Sequence, residues 1–277
     1  MKLVYLGTPD IAVPPLEALV EAGHEVVLVV TSTDKRRGRG GGTSPSPVKA
    51  AALELGLNVS HKVDDVLVAA ESAGAELGVV VAFGQIIKPH VLAVIPMVNL
   101  HFSLLPRWRG AAPVERALLA GDDVTGVCVM RLDEGLDTGG IYARREVPID
   151  PEQTAAELRG LLVDVGTSLL VESLSRPVEQ WVGQAEPQAG DITYASKFGH
   201  GDFEIDWSNS PVEVHRLVRV GGAWTTFRDK RLKILQANLV DGRLVPVTVQ
   251  PEGKAAMSFE SWSNGFHPAS DELFGDL

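Results

Sequence analysis

Cysteine, long apolar runs and a secretory leader are scarce or missing in this 277-residue chain. The one cysteine, Cys128, excludes an internal disulfide and is compatible with a reducing compartment. No apolar stretch approaches the ~18–20 residues that a membrane span needs, and no signal peptide is visible after Met1. The composition, 45% apolar and 22% charged, is ordinary for a globular protein. We therefore expect a cytoplasmic protein with no membrane partner. Separately, we expect it to be a monomer.

Several chemistries are disfavoured because their motifs are missing. The turn after the first predicted strand, Gly7-Thr-Pro-Asp10, lacks the G-x-G-x-x-G spacing of dinucleotide-binding folds, so a dehydrogenase is disfavoured. No Cys/His set has zinc spacing and no H-E-x-x-H is present, so no metal is expected. No Ser/His or Cys/His motif supplies a nucleophile, and Cys128 lies in an apolar run that favours a buried, inert thiol.

Positive charge is scarce overall but unevenly placed. The formal net charge of −11 argues against non-specific nucleic-acid binding by the whole surface. Residues 34–49 nevertheless hold five basic side chains and one acidic, and residues 216–254 hold eight basic and three acidic. These two segments are the parts of the chain that could contact a polyanion.

Strands and helices alternate along the first two thirds of the sequence. Apolar runs at residues 2–6 and 25–31 flank a helix that begins at Pro14-Pro15, which is a β-α-β unit. We predict an α/β fold with a doubly wound, mostly parallel, Rossmann-like sheet in a catalytic domain at 1–183. The pattern loosens over 184–204, a predicted linker, and 205–277 is predicted to be a small β-rich domain.

The most informative stretch follows an apolar run at residues 91–98. Asn99 and His101 are two residues apart, so on a strand their side chains share one face. At the carboxyl end of a strand in an open α/β sheet they would lie where ligands bind. An amide beside an imidazole suits stabilising an oxyanion and handling a proton. The alternative from these residues alone is that both merely end a strand and bond to a loop.

Three further segments allow a functional and a plain interpretation. Residues 32–47 are basic and glycine-rich, which fits either a phosphate-contacting loop or a solvated loop without a partner. Residues 84–89 are either a ligand-facing loop or an ordinary turn. Residues 133–140, with Asp133 and Asp137 among three glycines, are either a site or a simple hairpin turn.

Taken together, these blocks resemble the methionyl-tRNA formyltransferase family over residues 1 to about 183. The Asn-x-His, Ser-Leu-Leu-Pro and Leu-Asp-Thr-Gly blocks look like those of all transformylases that use 10-formyltetrahydrofolate. The Gly7 turn and the basic loop look like the tRNA enzyme in particular. The C-terminal domain of the family is barrel-like (OB-like), and relative to it we expect this chain to lack about a hairpin between Leu239 and Val247. The blocks are Gly7-Thr-Pro-Asp10, Gly38-Arg-Gly40, Pro45-Ser-Pro-Val-Lys49, Asn99-Leu-His101, Ser103-Leu-Leu-Pro106, Arg107-Trp-Arg-Gly-Ala-Ala-Pro113 and Leu136-Asp-Thr-Gly139.

The resemblance implies transfer of a formyl group from 10-formyltetrahydrofolate to the α-amine of initiator methionyl-tRNA, for translation initiation. It implies that Asn99 and His101 stabilise the oxyanion, and that Asp137 holds His101 or a water and takes the proton of the amine. The implied folate-binding residues are Ser103, Leu104, Leu105, Pro106, Gln85, Ile86 and Ile87. The implied tRNA-binding residues are Lys35, Arg36, Arg37 and Arg39.

Two other functions stay open at this point. One is formyl transfer to an amino sugar or amino nucleotide, which the shortened C-terminal domain favours and the basic loop opposes. The other is a formyltetrahydrofolate hydrolase or a folate-binding module without transfer.

Overall fold

The computed structural model describes residues 1–36 and 43–269. Two units are distinguished within it by their internal contacts. The first comprises Met1–Gly110, Val124–Pro148 and Arg159–Tyr194; the second comprises Ala111–Asp123, Ile149–Leu158 and the chain from Ala195 onward. The predicted division at residues 183 and 205 stays a prediction.

The strands in the described residues are short in the basic region and longest in the C-terminal unit. They are β1 (Lys2–Gly7), β2 (Glu25–Val30), β3 (Lys35–Arg36), β4 (Thr43–Ser44), β5 (Val59–Ser60), β6 (Leu77–Val81), β7 (Met97–His101), β8 (Arg109–Gly110), β9 (Val124–Arg131), β10 (Ile141–Pro148), β11 (Tyr194–Ala195), β12 (Trp224–Phe227), β13 (Lys230–Val240), β14 (Arg243–Pro251) and β15 (Met257–Ser258).

The α-helices of the same residues alternate with the strands of the first unit and flank those of the second. They are α1 (Val13–Glu21), α2 (Pro47–Glu54), α3 (Asp65–Ala73), α4 (Pro89–Leu92), α5 (Pro113–Ala120), α6 (Ala155–Ser173), α7 (Pro211–Val220) and α8 (Phe259–Phe266). Single 3₁₀ turns lie at Asp10–Ala12, Val178–Gln180 and His200–Phe203.

In the first unit, the described strands form a seven-stranded sheet of order β10-β9-β7-β6-β1-β2-β5. The pairs β1–β2, β1–β6, β2–β5 and β6–β7 are parallel, whereas β7–β9 and β9–β10 are antiparallel. Every residue of β6 is buried, as expected for a parallel strand covered on both faces. The predicted α/β class with a mostly parallel sheet is confirmed.

The strand that carries Asn99 and His101 starts later than the apolar run suggests. Residues Pro89–Leu92 form a helical turn, and β7 begins only at Met97. Pro89 and Pro96 explain the difference, since proline suits the first turn of a helix and cannot donate a ladder hydrogen bond. The predicted end of the strand at His101 agrees with the structure.

The second unit contains a small antiparallel sheet of order β12-β13-β14-β15 among its described residues, as the β-rich prediction requires. The sequence reading gave no helix here, yet α7 and α8 are present. Trp262 of α8 is buried against Phe227, with ring centroids 4.9 Å apart. This unit therefore has an apolar core of its own, built from both helices and sheet.

Candidate active site

The carboxyl end of β7 presents its two polar side chains on one face of the sheet. Leu100, between them, points towards α6, where a side chain at Gly166 would meet its methyl groups at 3.2 Å. Because alternate residues of a strand face opposite ways, Asn99 and His101 project from the other face. His101 is buried, and Asn99 is half-buried.

His101 lies between a backbone carbonyl and a carboxylate. Its Nε2 is 2.9 Å from the carbonyl oxygen of Trp108, and its Nδ1 is 3.7 Å from Oδ2 of Asp137. The carbonyl can only accept, so Nε2 carries a proton and donates it. The other ring nitrogen, Nδ1, faces Asp137.

The Asp137 carboxylate is largely buried and is held in place by backbone. The N–H of Gly110 donates to its Oδ2 at 2.8 Å, and its side chain is 14% exposed. Asp137 has a positive φ of 50°, a conformation that aspartate tolerates better than most residues. Gly139 follows where a Cβ would run into the carbonyl oxygen of Arg131, so the chain reverses there at a position that admits only glycine.

Asn99 is the member of the predicted trio whose side chain is not engaged by the protein. Within residues 1–36 and 43–269, no group hydrogen-bonds to its amide. A half-buried amide without a partner costs free energy unless water or a ligand satisfies it. It therefore supplies a donor for an oxygen of a bound molecule beside His101.

The segment after β7 uses its side chains for packing and hydrogen bonding within the protein. Ser103 is buried, and its hydroxyl donates to the carbonyl of Arg107 at 2.6 Å. Leu104 lies against Gly126, where a Cβ would come within 2.6 Å of it, and Leu105 joins an apolar cluster with Cys128. Pro106 is also buried. A ligand would thus meet mainly the backbone of Ser103, Leu104, Leu105 and Pro106.

The predicted pterin-contacting residues follow β6, the parallel neighbour of β7. Their segment therefore begins at the same edge of the sheet as the end of β7. Gln85 is exposed and Ile86 is 88% exposed, whereas Ile87 is buried in the apolar core. The structure records no contact between these residues and His101 or Asp137. Only the first two side chains are presented outward.

The basic loop is described in part. Lys35 and Arg36 form β3, which pairs with β4 in an antiparallel register. The predicted tRNA-binding residues Arg37 and Arg39 lie outside the described residues. Lys49, at the far end of the basic segment, is paired with Asp34 at 2.8 Å.

Two residues that the sequence analysis did not assign to the site lie directly beside it. The Gln188 side chain donates to the carbonyls of Asp137 and Gly139, each at 2.8 Å, and accepts from Arg109. Thr193 accepts from the backbone N–H of Trp108 at 2.8 Å. The only signal in the sequence is that Thr193 stands in a later block, Thr193-Tyr194, that also looks like the family.

The cysteine next to the site is chemically inert. Cys128 lies opposite His101 in the pairing of β7 with β9 and is fully buried. Burial raises the pKa of its thiol to about 11, outweighing a hydrogen bond from the Leu105 backbone and the charge of Arg144. A neutral thiol is a poor nucleophile, so the predicted inert role agrees with these surroundings.

Taken together, the geometry suits acyl transfer to an amine that the substrate itself supplies. An unpaired amide donor, an imidazole and a buried carboxylate are grouped on one sheet face. Among the described residues, no three His, Cys, Asp or Glu side chains converge as metal ligands would. In the same part of the chain, no helix is long and apolar enough to cross a membrane.

The fold and the site define an α/β transferase with a separate C-terminal module, and comparison with known proteins makes the class specific. A profile described as Formyl transferase matches residues 1–174, and one described as Formyl transferase, C-terminal domain, matches residues 197–244. The chain belongs to the formyl transferase family, whose members are one-carbon transferases.

Relatives within that family are similar over most of the chain. The methionyl-tRNA formyltransferase of Roseobacter denitrificans is 44% identical over 260 residues, covering 90% of this chain and 85% of that protein. That of Heliobacterium modesticaldum is 44% identical over 267 residues, covering 92% and 83%. An N-formyltransferase from Helicobacter canadensis, solved with folinic acid and dTDP-3-aminofucose, has a TM-score of 0.67 at 20% identity, covering 87% of this chain and 88% of that one. At that identity the likeness concerns the fold.

Proposed function

We propose that this protein transfers the formyl group of 10-formyltetrahydrofolate to the α-amine of initiator methionyl-tRNA, the step that prepares this tRNA for translation initiation. The observation that carries the proposal is the pairing of His101 with Asp137 at 3.7 Å beside the unengaged Asn99 amide. Relatives named methionyl-tRNA formyltransferase, 44% identical over about nine tenths of the chain, support this acceptor. The protein acts as a monomer. It acts in the cytoplasm, where aminoacylated tRNA and reduced folates are found.

Asn99 and His101 stabilise the charge that develops on the formyl oxygen. Attack of the amine on the formyl carbon places a negative charge on that oxygen in a tetrahedral intermediate. The Asn99 amide donates a hydrogen bond to it, and the His101 ring, whose two nitrogens are directed at the Trp108 carbonyl and at Asp137, acts on it electrostatically. Losing one such donor typically costs ~10²–10³ in rate.

Asp137 handles the proton. Its carboxylate lies 3.7 Å from His101 Nδ1. It also takes up the proton that the amine must lose after attack, directly or through a water. When the C–N bond of the donor breaks, the folate nitrogen regains a proton, so the site ends the cycle in its starting protonation state. General acid–base catalysis of this kind contributes ~10²–10⁴.

The folate donor lies against the backbone of Ser103–Pro106, with Gln85 and Ile86 at the pterin and Ile87 shaping the pocket from within the core. The outward Gln85 and Ile86 side chains fit a flat ligand with a polar edge and an apolar face. The donor supplies the activated formyl group when bound, and these residues orient it towards Asn99 and His101.

The acceptor end of the tRNA is bound by the basic loop, through Lys35, Arg36, Arg37 and Arg39. Charged side chains on a loop bind phosphates with a strength that falls as salt rises. Arg39→Ala is expected to raise the KM for methionyl-tRNA and to leave the KM for the folate unchanged. An unchanged tRNA KM would show that this side chain does not contribute to tRNA binding.

An acceptor screen tests the proposed function. The purified protein is given labelled 10-formyltetrahydrofolate with methionyl-tRNA, with a nucleotide-linked amino sugar, or with water alone. We expect formyl-methionyl-tRNA as the main product, with the other two acceptors slower by at least about 10²-fold. Preferential formylation of the amino sugar would assign the chain to that reaction, and release of formate alone would make it a hydrolase. His101→Ala should abolish whichever activity is found.

A further inference from the structure

A short segment after the first unit's last helix holds both sides of the candidate active site. It runs from Gln188 to Thr193, within the stretch that the sequence predicts to be a linker, and we refer to it as the 188–193 segment. Its two ends make side-chain hydrogen bonds to the polypeptide that carries His101 and Asp137. Neither end residue is assigned a role by the sequence motifs or by the proposed mechanism.

Gln188 fixes the turn that carries Asp137. Its Nε2 donates to the carbonyls of Asp137 and Gly139 at 2.8 Å each, while its Oε1 accepts from Nε and Nη2 of Arg109 at 3.1 and 2.6 Å. The two carbonyls can only accept and the guanidinium can only donate, so the orientation of the amide is determined by its partners. One side chain therefore ties the Asp137 turn to β8.

The connection between Gln188 and β8 is buried at the Arg109 side chain. Arg109 is 8% exposed, and the next residue, Gly110, donates its backbone N–H to the Asp137 carboxylate at 2.8 Å. Gln188 and Gly110 thus hold Asp137 from two sides, one through its carbonyl and one through its carboxylate. A movement of either would shift Oδ2 relative to His101.

Thr193 fixes the carbonyl that orients His101. The backbone N–H of Trp108 donates to Thr193 Oγ1 at 2.8 Å, and the N–H of Arg109 donates to the Thr193 carbonyl at 2.9 Å. The Trp108 carbonyl in turn accepts from His101 Nε2 at 2.9 Å. A hydrogen-bonded path thus runs from Thr193 through one residue, Trp108, to the imidazole.

We propose that Gln188 and Thr193 are positioning residues that set the spacing between Asp137 and His101, so that the 188–193 segment aligns the reacting groups without touching substrate. The proposal rests on the proposed function. It predicts a loss in kcat rather than in substrate binding, because both side chains bind the backbone around Asp137 and at Trp108. A misplacement of about 1 Å can cost on the order of 10²-fold in rate.

The substitution Gln188→Glu removes the hydrogen bonds that the amide donates and keeps those that it accepts. The new carboxylate keeps the bond to Arg109 but places an oxygen against the carbonyls of Asp137 and Gly139, which have no proton to offer. We expect kcat for methionyl-tRNA formylation to fall by about 10- to 100-fold, with both KM values within about twofold. Gln184→Glu, the same change at an exposed glutamine that donates only to the Gln180 carbonyl, should leave kcat unchanged.

The role of Thr193 is tested by two conservative substitutions. Thr193→Val keeps the shape and removes the acceptor for the Trp108 N–H, whereas Thr193→Ser keeps a hydroxyl. We expect Thr193→Val to lower kcat by at least about tenfold and Thr193→Ser to restore most of it. Equal kcat in the two variants would overturn the role of Thr193.

A double-mutant cycle separates positioning from general destabilisation. If Gln188 acts through Asp137, then Gln188→Glu should cost less than about threefold in kcat once Asp137 has been changed to Asn. The proposal would be overturned if the loss of kcat in the double variant equalled the product of the two single losses. It would also be overturned if Gln188→Glu kept wild-type kcat. If the wild-type protein formylates no acceptor, the proposed function is refuted instead. Circular-dichroism melts identify any variant that fails to fold.

Discussion

Replacing Asp137 with asparagine removes one charge from the site and almost nothing else. Asparagine is nearly isosteric, and its carbonyl oxygen can still accept from the Gly110 N–H, so the turn should persist. What disappears is a negative charge 3.7 Å from His101 Nδ1, between side chains only 7% and 14% exposed. The substitution therefore measures the electrostatic part of the role of Asp137.

The expected size follows from Coulomb's law. Two unit charges 3.7 Å apart interact by about 4.5 kcal/mol at an effective dielectric constant of ~20. Each ~1.36 kcal/mol is a factor of ten in rate, so losing an interaction of this size with positive charge that develops beside Asp137 in the transition state corresponds to a fall of about 10³-fold in kcat. Loss of the proton acceptor acts in the same direction.

The assay is single-turnover formyl transfer, with enzyme in excess, so that product release does not mask the chemical step. The matched control is Asp133→Asn, which neutralises a more exposed aspartate of the same turn that is paired with Arg131 at 2.7 Å. We expect kcat of the control to stay within about twofold of wild type, since the Asp133 carboxylate pairs with Arg131 and not with His101. If Asp137→Asn folds and keeps more than a fifth of wild-type kcat, the pairing of Asp137 with His101 does not account for the rate of formyl transfer.

Three further outcomes are expected. Asn99→Ala should lower kcat by ~10²–10³ with little change in thermal stability, because its amide makes no hydrogen bond to the described protein; activity close to wild type would remove it from the site. Cys128 should react with a thiol reagent only on unfolding, since its pKa is about 11 and it is fully buried; labelling of the native protein would contradict this. Burial lowers the pKa of His215, more than the charge of Glu152 opposes, so the folded protein favours the neutral ring. The contribution of the neutral His215 ring to stability is full above an unfolded-state pKa of ~6.5 and is lost as the pH falls below that value. The free energy of unfolding, measured in urea, should therefore fall less on acidification in His215→Leu than in wild type.

Much of the first unit could be predicted from the sequence because local signals and burial agree there. β6 is an apolar run that is buried at every residue, and α2 begins at Pro47 with Ser46 capping the N–H of Lys49. Of the two helices that were not predicted, α7 has a recognisable sequence signal. Ser210 and Glu213 form a capping box around Pro211.

The pairing of Asp137 with His101 could not be predicted from spacing. Thirty-five residues separate them, and whether they meet depends on β9 lying next to β7, which no local pattern specifies. The family resemblance supplied the expectation, and the structure supplies the distance. Gln188 was missed for a related reason, since its stretch is polar and irregular like a linker, and its role depends on side-chain partners far away in sequence.

The direction of β9 makes the Asp137 turn more than a connection between strands. β9 runs antiparallel to β7, with Arg131 opposite Val98 and Cys128 opposite His101, so it leaves the sheet at the beginning of β7. His101 lies three residues further along, about 10 Å away at ~3.3 Å per residue. The turn must therefore fold back over the sheet face to bring its carboxylate to the imidazole. A reversal over so few residues explains the positive φ at Asp137 and the crowding at Gly139. A tight hairpin would have been enough to connect the two strands. The longer turn places the Asp137 carboxylate 3.7 Å from His101, and the Gln188 side chain binds the carbonyls of that turn.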